Sequence, residues 1–131
     1  MTRVMIDSCA WIDFFKSKTG DLGNQVAELI ETNQAAITGV IIAELLQGVK
    51  QENESQRLRV LFRSINYLPT EDSDWFNAGQ LAQQLRAKGL TLPLTDVLIA
   101  VIAKRYAIPV LTLDKHFQHL PVDSLGGLKK S

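Results

Sequence analysis

The chain has 131 residues, of which 46% are hydrophobic and 21% are charged, a balance typical of an ordinary folded domain. Its 14 basic and 14 acidic residues give a formal net charge of zero, which argues against strong attraction of the whole surface to nucleic acid. The single cysteine, Cys9, excludes an internal disulfide and, with two histidines, makes a structural zinc site unexpected. The apolar runs are shorter than a membrane span and no signal core precedes them, so we expect a cytoplasmic protein without membrane attachment.

Short apolar runs alternate with helical stripes in the first half of the chain. In chain order they predict a strand at 3–6, helices over 10–15 and 22–31, a strand at 35–37, and helices over 40–50 and 55–63. Asp7 directly follows the first strand. Thr38 is a suitable N-cap for the apolar helix VIIAELLQGVK, which Gly48 weakens near its end.

The second half continues the alternation. It predicts a strand at 65–68, a helix over 73–88, a helix over 95–106, a strand at 109–113 and a weakly marked last strand near residue 122. Gly89 closes the first of these helices, and Thr95 is the predicted N-cap of the second. We expect one domain over 1–131, with 126–131 as a flexible tail.

This order of elements indicates an α/β fold, with a central, mostly parallel sheet of four to five strands flanked by helices. In such sheets the functional crevice lies beyond the carboxyl ends of the strands. Asp7 and Asp114 follow predicted strands, while Glu44 and Asp96 belong to helices that begin at the same edge. Taken singly, each acid is explained more simply as a helix cap, a turn residue or the partner of a lysine. Together, the four predict a shared site.

Crowded carboxylates need a counter-charge. Two of them ~4 Å apart repel by about 4 kcal/mol at an effective dielectric constant near 20. No lysine or arginine is placed in the sequence to serve all four acids, whereas carboxylate oxygens are ligands that Mg²⁺ and Mn²⁺ prefer. Such an ion activates water and offsets charge on phosphate oxygens, so the pattern leads to the hypothesis of metal-dependent phosphodiester hydrolysis.

Three segments of the chain contain the four acids: DSCAWIDFF at 7–15, ELLQG at 44–48 and LTDVLIAVIAKRYAIPVLTLDKHFQHL at 94–120. With these segments the chain resembles the PIN-domain ribonucleases and, among them, the small VapC-type toxins of bacterial toxin–antitoxin modules. Each segment alone is a weak motif, but the three together, in this order and at this spacing, are specific. The resemblance implies a single PIN-like domain with Mg²⁺- or Mn²⁺-dependent endoribonuclease activity. It also implies an RNA substrate of the tRNA or rRNA class, a homodimer, and a cognate antitoxin that covers the active-site groove.

The resemblance also assigns roles to individual residues. Asp7 and Asp96 correspond to the main metal ligands of the family. Glu44 corresponds to an acid that binds the ion directly or through water and helps to deprotonate the attacking water. Asp114 corresponds to an acid that completes the pocket or binds a second ion. Ser8 and Thr112 correspond to residues whose hydroxyl groups form hydrogen bonds with this acidic cluster in the family.

Other interpretations stay open at this stage. A PIN-type nuclease that is not a toxin, a phospho-acceptor signalling domain and a binding protein with a structural metal are all compatible with an acidic pocket. An aspartate-type phosphatase needs an acid two residues after Asp7, where Cys9 stands, and a phospho-acceptor needs one at the end of the middle strand, where INYLP has none. His116 is interpreted as a turn residue in preference to a phosphate contact, and Cys9 as a small buried residue.

Overall fold

Five short parallel strands form the central sheet of the computed structural model, which describes residues 2–16 and 20–126. The strands are β1 (Val4–Ile6), β2 (Ala35–Ile37), β3 (Asn66–Tyr67), β4 (Val110–Leu111) and β5 (Ser124–Leu125). The helices are α1 (Ser8–Lys16), α2 (Asp21–Glu31), α3 (Gly39–Gln47), α4 (Glu52–Phe62), α5 (Asp72–Ala87) and α6 (Leu94–Arg105), and a 3₁₀ helix spans Lys115–His119. The predicted α/β architecture with a parallel sheet is therefore confirmed.

The strand order β3-β2-β1-β4-β5 places β1 at the centre of the sheet. Met5 of β1 pairs with Ala36 of β2 on one side and with Val110 of β4 on the other. The chain therefore extends the sheet in one direction from β1 and later crosses back to extend it in the other. The order reverses between β1 and β4, and in open α/β sheets such a switch point is where ligands bind.

Strands β1 and β2 and the middle of helix α6 are buried because their sequences are continuously apolar. Strands covered by helices on both faces have such runs in place of an alternating pattern. Seven of the twelve residues of α6 are buried, and Ile99 and Ile102 have no exposed surface. Trp11 of α1 and Val26 of α2 are equally buried. This packing fixes the start of α6 at the sheet edge.

Several element boundaries differ from the sequence-based predictions. Helix α6 has Pro93 as its N-cap and not Thr95, because the backbone amides of Asp96 and Val97 both donate to the Pro93 carbonyl. Helix α4 begins at Glu52, three residues earlier than predicted, since its first turn is polar and carries no hydrophobic period. The last strand lies at Ser124–Leu125 and not at residue 122, and the 3₁₀ helix was not predicted.

Two predicted helix ends are confirmed, with one difference in detail. Gly89 follows the C-cap of α5 with φ +89°, a left-handed conformation that favours glycine. Thr38 is the N-cap of α3, but its hydroxyl donates to the carbonyl of Leu68 at 2.6 Å and does not cap the helix. This bond ties the start of α3 to the chain beyond β3.

Of the predicted tail, residues 127–131 lie outside the described residues. Gly126 is buried, and a Cβ atom there would lie 2.2 Å from the carbonyl oxygen of Thr112, so only glycine fits. Leu125 accepts a hydrogen bond from the Thr112 amide at 2.8 Å, which holds β5 against the end of β4. Among the described helices, none combines the length and apolar character of a membrane span.

Candidate active site

The four predicted acids meet at the carboxyl edge of the sheet, beside the switch point. Asp7 follows the last residue of β1, and Asp114 lies three residues beyond the end of β4. Asp96 lies in the first turn of α6, and Glu44 lies in the middle of α3. Their charges act on one another: besides burial, the charges of Asp7 and Asp114 raise the pKa of both Glu44 and Asp96. The structure therefore clusters Asp96 with Asp114, links Asp7 to Asp114 through Thr112, and places Glu44 near enough for the charges of Asp7 and Asp114 to raise its pKa.

Asp7 is the most firmly held of these carboxylates and is only 3% exposed. Its Oδ1 accepts a hydrogen bond from the backbone amide of Ser8 at 2.8 Å, and its Oδ2 accepts one from the hydroxyl of Thr112 at 2.8 Å. The Thr112 hydroxyl also accepts a bond from the Asp114 amide at 2.9 Å, so it links two of the four acids. Burial raises the pKa of Asp7, and the donors from Thr112 and Ser8 only partly offset that effect.

Asp96 and Asp114 share a third residue, His116. The Nδ1 atom of His116 lies 2.9 Å from Asp96 Oδ2 and 2.9 Å from Asp114 Oδ1. Asp114 also accepts a hydrogen bond from the His116 amide and is thereby the N-cap of the 3₁₀ helix, so the simpler explanation as a cap is true as well. Burial raises the pKa of Asp96 to about 6, although the bond to His116 opposes the shift. That bond raises the pKa of His116.

Glu44 has an unsatisfied oxygen. Its Oε1 atom is buried and, among the described residues, has no hydrogen-bond partner. Burial raises the pKa of Glu44, and hydrogen bonding by the side chains of Ser8 and Thr95 lowers it in part. Ser8 thus serves two acids, with its backbone amide on Asp7 and its side chain near Glu44. A buried carboxylate oxygen without a partner is unfavourable unless a water molecule, a proton or a cation reaches it.

The described part of the site contains no permanent positive charge. Within residues 2–16 and 20–126, the ion pairs of these four acids are those that Asp96 and Asp114 make with His116, and no lysine or arginine forms one. One ligand atom each from Asp96, Asp114 and His116 lies within 4.8 Å of the others. Carboxylate oxygens with an imidazole nitrogen, next to the orphaned oxygen of Glu44, form a donor set that fits a divalent cation.

His116 is the site residue that the sequence analysis missed, because it was interpreted as a turn residue. The available signal was its position two residues after Asp114, the acid that follows the strand predicted at 109–113, because a tight turn there can fold the ring back over that acid. Cys9 lies beside the site, with its Sγ 3.6 Å from Asp7 Oδ2 and 3.5 Å from Thr112 Oγ1. Burial raises the pKa of the Cys9 thiol, so it stays protonated and serves as a weak donor.

The family of the chain follows from its similarity to known proteins. Residues 4–123 match the family model described as the PIN domain. The chain belongs to the PIN domain family. Among curated PIN-type relatives, ribonuclease VapC21 of Mycobacterium tuberculosis is 23% identical over 91% of this chain and 86% of its own length. Ribonuclease VapC2 of Rickettsia felis is 28% identical over 75% of this chain and 77% of its own length.

Several solved structures have a similar fold, and the two described here are of VapBC proteins bound to DNA. The DNA-bound VapBC structure from Salmonella typhimurium matches with a TM-score of 0.81 at 19% identity, covering 96% of this chain and 98% of the other. VapBC2 from Rickettsia felis, bound to a promoter DNA fragment, matches with a TM-score of 0.79 at 21% identity, covering 95% and 98%. At these identities the matches establish the fold. The resemblance to VapC-type PIN domains noted in the sequence is thereby confirmed.

Proposed function

We propose that this PIN domain protein is a Mg²⁺- or Mn²⁺-dependent endoribonuclease and the toxin component of a toxin–antitoxin module. The observation that carries the proposal is the convergence of four carboxylates, without a lysine or arginine partner among the described residues, at the switch point of the sheet. Relatives over most of the chain are ribonucleases of the VapC type, and similar structures are VapBC complexes. The phospho-acceptor alternative has no comparable support.

In this proposal Asp7 and Asp96 are the main ligands of the ion. The Ser8 amide and the Thr112 hydroxyl fix the two oxygens of Asp7, so that this carboxylate is oriented before an ion arrives. Asp114 completes the pocket or takes part in binding a second ion. A divalent cation in such a site makes water acidic enough to attack at neutral pH and offsets the charge on the phosphate oxygens.

Glu44 is the proposed proton acceptor for the attacking water. Its Oε1 atom is buried without a hydrogen-bond partner, so a water molecule that donates to it would satisfy an oxygen otherwise left bare. Burial also raises the pKa of Glu44, which makes the carboxylate a stronger base than an exposed glutamate. Asp7 and Asp114 add their negative charges to this effect.

The direct test is cleavage of single-stranded RNA by the purified protein. We expect cleavage only with Mg²⁺ or Mn²⁺, and products with 5′-phosphate ends. Excess chelator should abolish the reaction, and added Mg²⁺ or Mn²⁺ should restore it, because the four carboxylates repel one another and the substrate without a cation. Cleavage that persists in excess chelator would contradict the proposal.

The toxin role needs a test in cells. Induced expression of the protein in bacteria should arrest growth, and co-expression of the small protein encoded directly upstream should relieve the arrest. The Asp96→Asn variant is the matched control and should leave growth unaffected. Metal-dependent RNA cleavage without growth arrest, next to an unrelated gene, would favour a PIN-type nuclease that is not a toxin.

The remaining features of the proposal come from the resemblance to VapC-type proteins. They are an RNA substrate of the tRNA or rRNA class, a homodimer, and action in the cytoplasm. Light scattering of the purified protein measures the oligomeric state, and sequencing of RNA ends after induction identifies the substrate. A monomer at all concentrations would contradict the homodimer but leave the nuclease activity untouched.

A further inference from the structure

His116 holds a position inside the acidic site that a turn residue does not need. Its Nδ1 atom lies 2.9 Å from Asp96 Oδ2 and 2.9 Å from Asp114 Oδ1. Its backbone amide bonds Asp114 Oδ1 at 2.9 Å, so the residue is held by its main chain as well as by its ring. The side chain is 43% exposed, so burial in the core does not force the ring into this position. The ring nitrogen is therefore directed at the two carboxylates.

The spacing of these three atoms suits a shared metal ion. Ligands about 2.1 Å from an octahedral ion lie about 3.0 Å from their neighbours, close to the two separations that His116 makes with the carboxylates. The third separation, between the carboxylate oxygens, is within 4.8 Å, and these side chains adjust to an ion more easily than backbone does. The buried Oε1 of Glu44, which has no hydrogen-bond partner among the described residues, is an independent sign that a further group, such as an ion with its water, belongs beside these acids.

The chemistry of the donors discriminates between ions. Oxygen ligands suit Mg²⁺, Ca²⁺ and Mn²⁺, whereas imidazole nitrogen is a ligand of transition metals. Mg²⁺ also gives up its waters reluctantly and gains little from a nitrogen donor. A set of two carboxylates and one imidazole therefore favours Mn²⁺ over Mg²⁺ more strongly than carboxylates alone do.

We propose that His116 is a direct ligand, together with Asp96 and Asp114, of a divalent transition-metal ion, and that it biases the site towards Mn²⁺. This inference deepens the proposed function and rests on it for the location of the ion. It concerns the identity of the ion and the ligand atom, not the reaction. The opposite arrangement is one in which His116 bridges the two carboxylates as an internal cation, and an incoming metal has to displace it.

The test uses Mn²⁺ and Mg²⁺ alone, without RNA. Calorimetric titration gives the affinity for each ion, and pulsed electron paramagnetic resonance of bound Mn²⁺ detects coupling to a ligand nitrogen. We expect nitrogen coupling in the wild type. The His116→Asn variant should lose that coupling and bind Mn²⁺ at least about tenfold more weakly, the smallest loss typical of altering even an outer partner of a metal ligand. Its affinity for Mg²⁺ should change much less.

Two further variants sharpen the result. His116→Asp replaces the nitrogen by a carboxylate oxygen, so it should lose the nitrogen coupling and shift the preference towards Mg²⁺. His119→Asn is the matched control, because His119 is exposed and lies on the same 3₁₀ helix; its affinity for Mn²⁺ and its nitrogen coupling should equal those of the wild type. Coupling that is lost in His119→Asn and kept in His116→Asn would overturn the assignment.

Other outcomes would also end the inference. Absence of nitrogen coupling in the wild type would show that His116 does not bind the ion. Tighter Mn²⁺ binding in His116→Asn would assign His116 the role of an internal cation, and unchanged binding would show that it is not a ligand of the ion. RNA cleavage is a separate readout: Mg²⁺-dependent cleavage with no nitrogen coupling keeps the proposed function and rejects this inference. Nitrogen coupling in a protein that cleaves no RNA would support His116 as a ligand and reject the proposed function.

Discussion

Asp74 and Asp96 are both buried carboxylates, 0% and 7% exposed, yet their surroundings shift their pKa values in opposite directions. Two nitrogens of Arg105 donate to Asp74, Nε to Oδ1 at 2.9 Å and Nη2 to Oδ2 at 2.8 Å. This pair lowers the pKa of Asp74. Asp96 has His116 in place of a guanidinium, and burial raises its pKa to about 6.

The contrast separates a structural acid from a candidate functional one. Asp74 is complete: besides the two-point contact with Arg105, it accepts a bond from the Glu71 amide at 2.8 Å and holds the start of α5 against the end of α6. Asp96 lies in a site whose acids repel one another, and the only ion-pair partner described for it is His116, an imidazole whose positive charge depends on protonation. Burial alone therefore does not identify a candidate functional carboxylate. A carboxylate that is buried without a permanent counter-charge is the better candidate.

The largest expected effect separates these two acids by activity. Asp96→Asn should reduce RNA cleavage by more than about a hundredfold, beyond what altering an outer partner of a metal ligand costs, because a neutral amide binds the cation poorly. Asp74→Asn should leave the rate per folded molecule unchanged, since Asp74 is paired within the scaffold. Cleavage rates and circular dichroism, both measured well below the melting temperature, check this. Normal turnover by Asp96→Asn would reduce that residue to a helix-terminus acid.

The next largest effect is on stability, and it is expected at the Asp74 pair and not at Asp96. Arg105→Ala removes both charged hydrogen bonds to Asp74 and should lower the free energy of unfolding by about 2 kcal/mol, since hydrogen bonds to charged groups are among the stronger ones. Urea titration measures the loss. Arg86→Ala, at an exposed position in the last turn of α5, is the control and should change stability by about 0.5 kcal/mol or less. Equal stability of the two variants would show that the pair is dispensable.

A third, smaller effect is the pH dependence of the metal-free protein. The pKa of Asp96 rises from 3.8 to about 6 on folding, so the folded state holds that proton more tightly and loses stability as the pH rises through this window. His116 acts in the same direction, because its raised pKa gives stability that is full below 6.5 and lost as the pH rises through the folded value. The Asp74 pair lies outside this window, since its stabilisation is lost only as the pH falls below 3.8.

Thermal melting of chelator-treated protein across this range measures the effect. We expect the melting temperature to fall from about pH 4 to about pH 7, and Mn²⁺ to restore it at neutral pH by binding only the folded state. Asp96→Asn is the control and should flatten the profile. A melting temperature that rises over the same range would contradict the assigned charge repulsion.

The smallest expected effect concerns Asp7. Metal-free Asp7→Asn should melt no lower than the metal-free wild type, because the amide oxygen still accepts from the Ser8 amide while one repelling charge disappears. With saturating Mn²⁺ the order should reverse, since only the wild type gains the full stabilisation by the ion. A clear drop in the absence of metal would show that both carboxylate oxygens of Asp7, including the one bonded to Thr112, are structurally essential.

The amino-acid sequence determined the order of strands and helices and the edge at which the acids gather. Continuous apolar runs such as VMI and AAI predict buried parallel strands by composition alone, and an acid directly after a strand lies at the carboxyl edge of the sheet wherever that strand is placed. Asp7, Asp96 and Asp114 could be assigned to that edge because these signals are local. Local signals failed where they were weak, as in the polar first turn of α4.

Only the tertiary structure decided which side chains meet. The contact between Asp96 and His116 joins residues 20 apart in sequence, and that between Asp74 and Arg105 joins residues 31 apart. Neither pair has a periodic or local signature, because each depends on how helices pack against the sheet and on the rotamers that this packing allows. The sequence therefore determined where carboxylates collect, and packing decided which of them receive a permanent counter-charge from the protein and which do not.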